Sequence, residues 1–394
     1  MKLCGPAFVD GRLVNCGIDV KDGRIAKIER RCENRNVRGF ILPAGVDIHV
    51  HFRDPGQAWK EDFYTGSLAA AFGGVSCVFD MPNTIPRVKN AAALREKMEI
   101  AARRSVVDFS IYAQAGVGCD KRLNVGAYKL YCTEDKPEEA IGIGDVVSFH
   151  CEKSELFDRN FEGAVNLIEH AKFRNERSEV ESVREVSRLP VRKHIAHVSS
   201  VGSVMIAGGT KEVTPHHLLL DFDRINKRSA RYKVNPPLRN SGSELLESLK
   251  RGNVDIIASD HAPHAMDEKE NFESAPPGMP GVETTYPLML SLVKREILSM
   301  NTLINAFCER PAELMGIRKG KIREGYDADL ILVDFEDETS ITGEELHSRC
   351  GWSAFEGFRG IFPHSLMIRG EWVVQDRELV CGKGYGKFVN QSEK

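Results

Sequence analysis

Residues 46–56 read VDIHVHFRDPG. Side chains alternate along a strand, so His49 and His51 share one face while Val46, Ile48 and Val50 take the other. The run then passes at once into Arg53 and the turn-prone Asp54-Pro55-Gly56. Such a segment is either a half-exposed strand with a wet side or a strand that delivers two ligands to a site. An H-x-H pair by itself does not choose between them; the rest of the chain does.

Seven more short apolar runs follow at intervals: VSCVFDM (75–81), VDFSIYA (107–113), VGAYKLY (125–131), DVVSFHC (145–151), KHIAHVS (193–199), KEVTPH (211–216) and VDIIASD (254–260). Between them lie helical patterns, among them NAAALREKMEIAARR (90–104), FEGAVNLIEHAKF (161–173) and GSELLESLKRG (242–252). Eight strands alternating with helices predict an α/β fold, a (β/α)8 TIM-type barrel over residues 44–319. One link is short, because only GVGCDKRLN (116–124) separates the third and fourth strands. A doubly wound sheet is the structural alternative. The two ends of the chain have a different texture. AFVDGRLVNCGIDVKDGRIAKIE (7–29) carries two Asp-Gly turns between alternating apolar residues, and GKIREGYDADLILVDFE and SLMIRGEWVVQDREL resemble it near the other end. Residues 1–43 and 320–394 are therefore expected to form one small β domain together.

The 394 residues are 42% apolar and 28% charged, with a net charge of −3, as in an ordinary globular protein. Near-neutral charge argues against nucleic-acid binding through bulk positive charge. No apolar run approaches a membrane span, and the first residues lack a signal peptide's apolar core. Ten cysteines without a CxxC pair are expected to be reduced thiols in a cytoplasmic protein.

Polar and titratable residues collect where the expected strands end: His49 and His51, Asn83, Lys129, His150, His197, His216, Asn235, Asp260 and His264. Each has an ordinary explanation. A histidine can sit satisfied in a core, Lys129 can reach solvent on its long stem, Asp260 can cap a helix, and Asn83 and Asn235 flank prolines in turns. Together they need another account, because strand C-terminal ends of a barrel converge on one mouth. His49, His51, His150, His197 and Asp260 are ligand types for zinc-like ions and exceed the needs of one open catalytic zinc. They fit two metals sharing a bridging group, which ionise water near neutral pH. Hydrolysis is the expected chemistry.

As a set, PAGVDIHVHFRDPG, FDMPNT, AYKLYCTED, FHCEK, HIAHVSS, EVTPHHLLL, KVNPPLR, IASDHAPH, PGMPGVETT and KIREGYDADLILVD resemble the dihydroorotases of the amidohydrolase superfamily over nearly the whole chain. The resemblance implies reversible, metal-dependent hydrolysis of dihydroorotate to N-carbamoyl-L-aspartate in pyrimidine biosynthesis. It implies His49, His51, His150, His197 and Asp260 as metal ligands, and a carboxylated Lys129 bridging two Zn2+ ions. Arg53, Asn83 and His264 would hold the substrate carboxylate. Asn235 and the backbone at Pro280 and Gly281 would contact the ring, and Asp260 would shuttle the proton. The expected partner is a small-molecule substrate, with room for a homo-oligomer. One departure is RNERSE (174–179), where Asn175 stands in place of a proline common in the family. Rival activities are those of dihydropyrimidinases or hydantoinases and of allantoinases, which do not need Arg53 for a ring carboxylate, or a non-catalytic scaffold, which would lack metal ligands.

Overall fold

The computed structural model describes residues 1–32 and 34–390. The chain opens with three antiparallel strands, β1 (Lys2–Val9), β2 (Arg12–Lys21) and β3 (Arg24–Glu29). Asp10-Gly11 and Asp22-Gly23 connect them with positive φ at both residues of each turn. That conformation matches the right-handed twist of a hairpin and explains the Asp-Gly pairs. Strand β4 (Phe40–Pro43) lies parallel to β1 and leads directly into the barrel.

The barrel strands are β5 (Gly45–Val50), β6 (Val75–Asp80), β7 (Asp108–Gln114), β8 (Ala127–Tyr131), β9 (Val147–His150), β10 (Lys193–Ile195), β11 (Thr210–Val213) and β12 (Ile256–Ile257). They pair in sequence order and in parallel. A parallel bridge between Val50 and His261, with the His51 N–H donating to the His261 carbonyl at 2.8 Å, joins the last strand region to the first. All eight expected strands are present, and the doubly wound alternative is excluded by this closure. Strand β5 is buried along its whole length, so it has no wet side.

Helices α1 (Phe63–Phe72) and α2 (Ala91–Arg104) follow β5 and β6. No helix joins β7 to β8, and a single short turn (Pro137–Ala140) lies between β8 and β9. Helices α3 (Leu167–Phe173) and α4 (Glu176–Ser187) connect β9 to β10, α5 (Val201–Ile206) connects β10 to β11, and α6 (Pro215–Leu219) and α7 (Gly242–Lys250) connect β11 to β12. Asn175 compensates for the missing proline: its side chain accepts the Ser178 N–H at 3.0 Å and caps α4. Helix α8 (Val282–Lys294) closes the barrel's outer ring.

After α8 the chain returns through β13 (Leu330–Val333), which pairs antiparallel with β4. A two-stranded excursion, β14 (Glu338–Ser340) with β15 (Arg359–Ile361), precedes β16 (Ser365–Ile368), β17 (Glu371–Gln375) and β18 (Glu378–Leu379). The terminal strands form one eight-stranded sheet in the order β18-β17-β16-β13-β4-β1-β2-β3.

One expectation is overturned. Cys4 and Cys32 form a disulfide, so two of the ten cysteines are not thiols. The return of the chain after β3 places their Cα atoms 5.7 Å apart, within disulfide range, although 28 residues separate them. Among the described residues no helix is long and apolar enough to cross a membrane.

Candidate active site

The strand ends do converge. His49, His51, Arg53, Asn83, Lys129, His150, His197, Asn235 and Asp260 line one cavity of about 280 Å³. Tyr131, Thr133, Glu134, Arg174, Val234, Ala262, Pro277 and Gly278 complete the wall. The backbone is bent to achieve this. The register of β5 against β6 shifts between Asp47 and Val50, at the level of His49. Arg53, His197 and Asp260 have φ values of 60°, 34° and 45°. Left-handed conformations at non-glycine residues cost energy and cluster where side chains must be aimed.

His49 and His51 do present the same side, with ring centroids 5.4 Å apart. Their Nε2 atoms lie 3.3 Å and 3.1 Å from Asp260 Oδ1. Each is oriented from behind. His49 Nδ1 donates to Glu212 Oε1 at 2.7 Å, and His51 Nδ1 donates to Asn83 Oδ1 at 2.7 Å. With Nδ1 of each ring held from behind, Nε2 is the atom turned toward Asp260, the position from which a neutral imidazole would bind a metal. His150 Nε2 faces Glu152 Oε2 at 2.7 Å, and Glu152 also receives the Arg174 guanidinium. His150 Nδ1 lies 3.1 Å from His197 Nε2.

Burial shapes the charges. It pushes His51 down to about 4, and it holds His197 well below the ordinary histidine range with help from His150. Burial also lowers Lys129, which makes no salt bridge among the described residues; its amine reaches Ser148 Oγ at 3.5 Å and lies 5.7 Å from the centre of the Tyr131 ring. For Asp260 burial opposes the charged form, yet His49 and His51 outweigh it and hold the carboxyl well below its usual range.

These features fit a divalent cation. His49, His197 and Asp260 offer ligand atoms within 4.8 Å of one another, all buried. His197 Nδ1 is buried with no hydrogen-bond partner. Imidazoles gathered on a buried carboxylate, with a buried amine nearby, are a donor set that suits a divalent cation.

Some expected residues fall elsewhere. His264 backs the cavity, with Nε2 3.1 Å from Arg53 Nη2. Asn235 lines the cavity, but its Oδ1 is engaged by His170 Nε2 at 3.0 Å. Pro280 and Gly281 do not line the cavity; Pro277 and Gly278 do, and the Gly281 N–H donates instead to His261 Nδ1 at 3.0 Å. The chain enters α8 at Gly281, which draws that backbone away from the mouth. His216 is buried against His217, with ring centroids 4.5 Å apart, outside the wall. Sequence reading missed Glu212, Glu152 and Arg174. The available signal was a glutamate in the expected strand KEVTPH, since a carboxylate buried in a barrel strand requires partners.

A closed parallel barrel with a histidine- and aspartate-lined mouth defines a metal-dependent hydrolase of the amidohydrolase type, and the family pattern agrees: "Amidohydrolase family" matches residues 40–373. The chain belongs to this family. Its curated relatives include the dihydroorotase of Thermoplasma volcanium, 39% identical over 98% of this chain and 97% of that one. The dihydroorotase of Methanosarcina acetivorans is 37% identical over 98% and 91%. Among solved structures, an L-hydantoinase (dihydropyrimidinase) from Arthrobacter aurescens superimposes with a TM-score of 0.91 at 25% identity, covering 99% of each chain.

Proposed function

We propose that this cyclic-amide hydrolase acts as a dihydroorotase, opening the dihydroorotate ring to N-carbamoyl-L-aspartate and closing it again. The observation that carries the reading is Arg53. Arg53 is 8% exposed and lines the cavity, and among the described residues its one side-chain donor bond to an oxygen goes from Nε to the Pro263 carbonyl at 3.3 Å. A buried cation facing a small cavity calls for an anionic substrate group, and a planar fork suits a carboxylate. Dihydroorotate has a ring carboxylate; hydantoin, dihydrouracil and allantoin rings do not. The names of the curated relatives support the same reading.

His49, His51, His150, His197 and Asp260 would hold Zn2+, two ions per subunit with a carboxylated Lys129 between them. When bound, the metal supplies Lewis-acid polarisation and water ionised at neutral pH. The protein's own residues do the rest. Glu212, Asn83 and Glu152 set the imidazole tautomers. Arg53 fixes the ring by its carboxylate, and the wall at Asn235, Pro277 and Gly278 confines the other edge. Asp260 would take the proton from the attacking water and deliver it to the amide nitrogen as the C–N bond breaks. Ring closure runs the same transfers backwards. Lys129 is buried without an anionic partner, which favours a neutral amine, the form that reacts with carbon dioxide to give a carbamate.

The test is a panel of dihydroorotate, dihydrouracil, hydantoin and allantoin with metal-replete enzyme. Dihydroorotate should be turned over far faster than the uncharged rings. Preference for hydantoin or dihydrouracil would assign the chain to the hydantoinases instead.

A further inference from the structure

His264 stands between two cations. Lys60 Nζ lies 3.1 Å from its Nδ1, and Arg53 Nη2 lies 3.1 Å from its Nε2. Both neighbours only donate hydrogen bonds, and a neutral imidazole has one acceptor nitrogen. His264 therefore satisfies one of them, never both. A third contact decides which: Nε2 also lies 3.1 Å from the Pro277 carbonyl, which only accepts. Of the two neutral tautomers, the one with Lys60 donating to Nδ1 and the Nε2–H donating to Pro277 satisfies two of these three contacts, whereas the other satisfies only the contact from Arg53. The protonated Nε2 then offers Arg53 nothing.

We propose that Lys60 is a positioning residue for substrate selection: by donating to His264 Nδ1 it keeps the imidazole proton on Nε2, so that Arg53 Nη2 has no internal acceptor and remains free for a carboxylate. The inference rests on the dihydroorotase reading for the identity of that carboxylate, but the tautomer itself does not. In the opposite tautomer Nε2 would accept from Arg53, and the selecting cation would be satisfied inside the protein.

The surroundings hold this arrangement in place. Lys60 is 6% exposed and is fixed from the far side by Glu268 Oε1 at 2.6 Å. The indole Nε1 of Trp352 donates to the His264 carbonyl at 2.9 Å and anchors its backbone. Burial, followed by Arg53 and Lys60, pushes His264 down to about 2, so the doubly protonated ring is not a competitor at neutral pH. The Pro277 bond also ties the tautomer to the cavity wall, since Pro277 and Gly278 form part of it.

The test compares wild type, Lys60→Met and Lys60→Arg in two assays. The first is the 15N spectrum of ligand-free, histidine-labelled enzyme, with His264 assigned by its loss in His264→Gln. Wild type and Lys60→Arg should show the proton on Nε2, and Lys60→Met should show a shift toward Nδ1. The second is calorimetric binding of orotate against uracil, rings with and without a carboxylate. Lys60→Met should lower the orotate-over-uracil preference about tenfold or more, the worth of one charge-assisted hydrogen bond, and Lys60→Arg should restore most of it. An Nδ1–H tautomer in wild type, or an unchanged tautomer and preference in Lys60→Met, would overturn the proposal. Equal weakening of orotate and uracil would also overturn it, because that is the mark of a merely structural lysine. A wild type that shows the Nε2–H tautomer but neither prefers orotate nor hydrolyses dihydroorotate would instead refute the functional reading.

Discussion

Replacing Glu212 separates hydrogen bonding from charge at the base of the site. Its carboxylate accepts from His49 Nδ1 at 2.7 Å, from the His197 backbone N–H at 3.0 Å and from His194 Nε2 at 3.0 Å. The first two bonds share Oε1 and the third uses Oε2. Glu212→Leu leaves three buried donors without an acceptor, at about 1–3 kcal/mol each, while relief of the buried carboxylate offsets part of the loss. The expected net cost is about 3–5 kcal/mol of stability, as for removing one partner of a buried pair. Glu212→Gln should behave differently. Its carbonyl oxygen can occupy the Oε1 position and keep His49 and His197 bonded. Its amide then faces His194 Nε2, which can accept if that ring moves its proton to Nδ1, 2.9 Å from the rotatable Thr210 hydroxyl. Glu212→Gln should therefore cost about 1 kcal/mol. The assays are urea unfolding of metal-free protein and metal content after dialysis against a fixed zinc buffer. Glu212→Leu should also lose metal affinity by about 10- to 100-fold, the usual effect of removing a residue that orients a ligand. Wild-type stability and metal content in Glu212→Leu would refute the reasoning. So would equal damage in both variants, since that would make charge, not acceptor geometry, the essential property.

Arg53→Met should reduce kcat/KM for dihydroorotate by about ten- to a hundredfold, the worth of a bidentate charge-assisted contact, while binding of uracil changes little; equal loss on both would make Arg53 structural. Lys129→Ala should lose about half of the bound metal and most activity, with partial return of activity on adding a small carboxylic acid; full activity in the variant would remove the bridging role. Chelation should abolish turnover and zinc or cobalt should restore it, whereas a stably metal-free preparation with full activity would contradict the ligand assignment. The last concerns pH and Lys319, which lies 2.8 Å from Asp108, 3.1 Å from Asp327 and 2.7 Å from Asp329. Burial opposes its charge, but Asp329 and Asp327 outweigh that and raise it above the ordinary lysine range. A raised lysine contributes its stability in full below its unfolded value of about 10.4 and loses it only as pH climbs through the higher folded value. The stability difference between wild type and Lys319→Met should stay flat from about pH 7 to 10 and shrink only above that, measured by urea unfolding; a decline beginning near neutral pH would contradict the raised value.

The amino-acid sequence by itself determined the eight barrel strands, the hairpins of the terminal sheet and most of the mouth. Those features are local. Apolar runs of strand length, Asp-Gly pairs at positive φ and polar residues at strand ends all express backbone preferences that act over a few residues. His49, His51, Arg53, Asn83, Lys129, His150, His197, Asn235 and Asp260 were legible because barrel closure brings every strand end to one place. Only the tertiary structure decided which groups stand behind them. Glu212 reaches His49 across 163 positions, and Lys60 reaches His264 across 204. Strand β5 ends at Val50, and the left-handed backbone of Arg53, not the alternation of the strand, aims its guanidinium. Pro277 and Gly278 line the cavity and Pro280 and Gly281 do not, because the chain turns into α8 at Gly281. Cys4 and Cys32 pair because the segment after β3 runs back beside β1. Tautomers, bonds between distant residues and three-residue displacements of a loop are set by close packing of distant segments, and no short-range pattern along the chain encodes them.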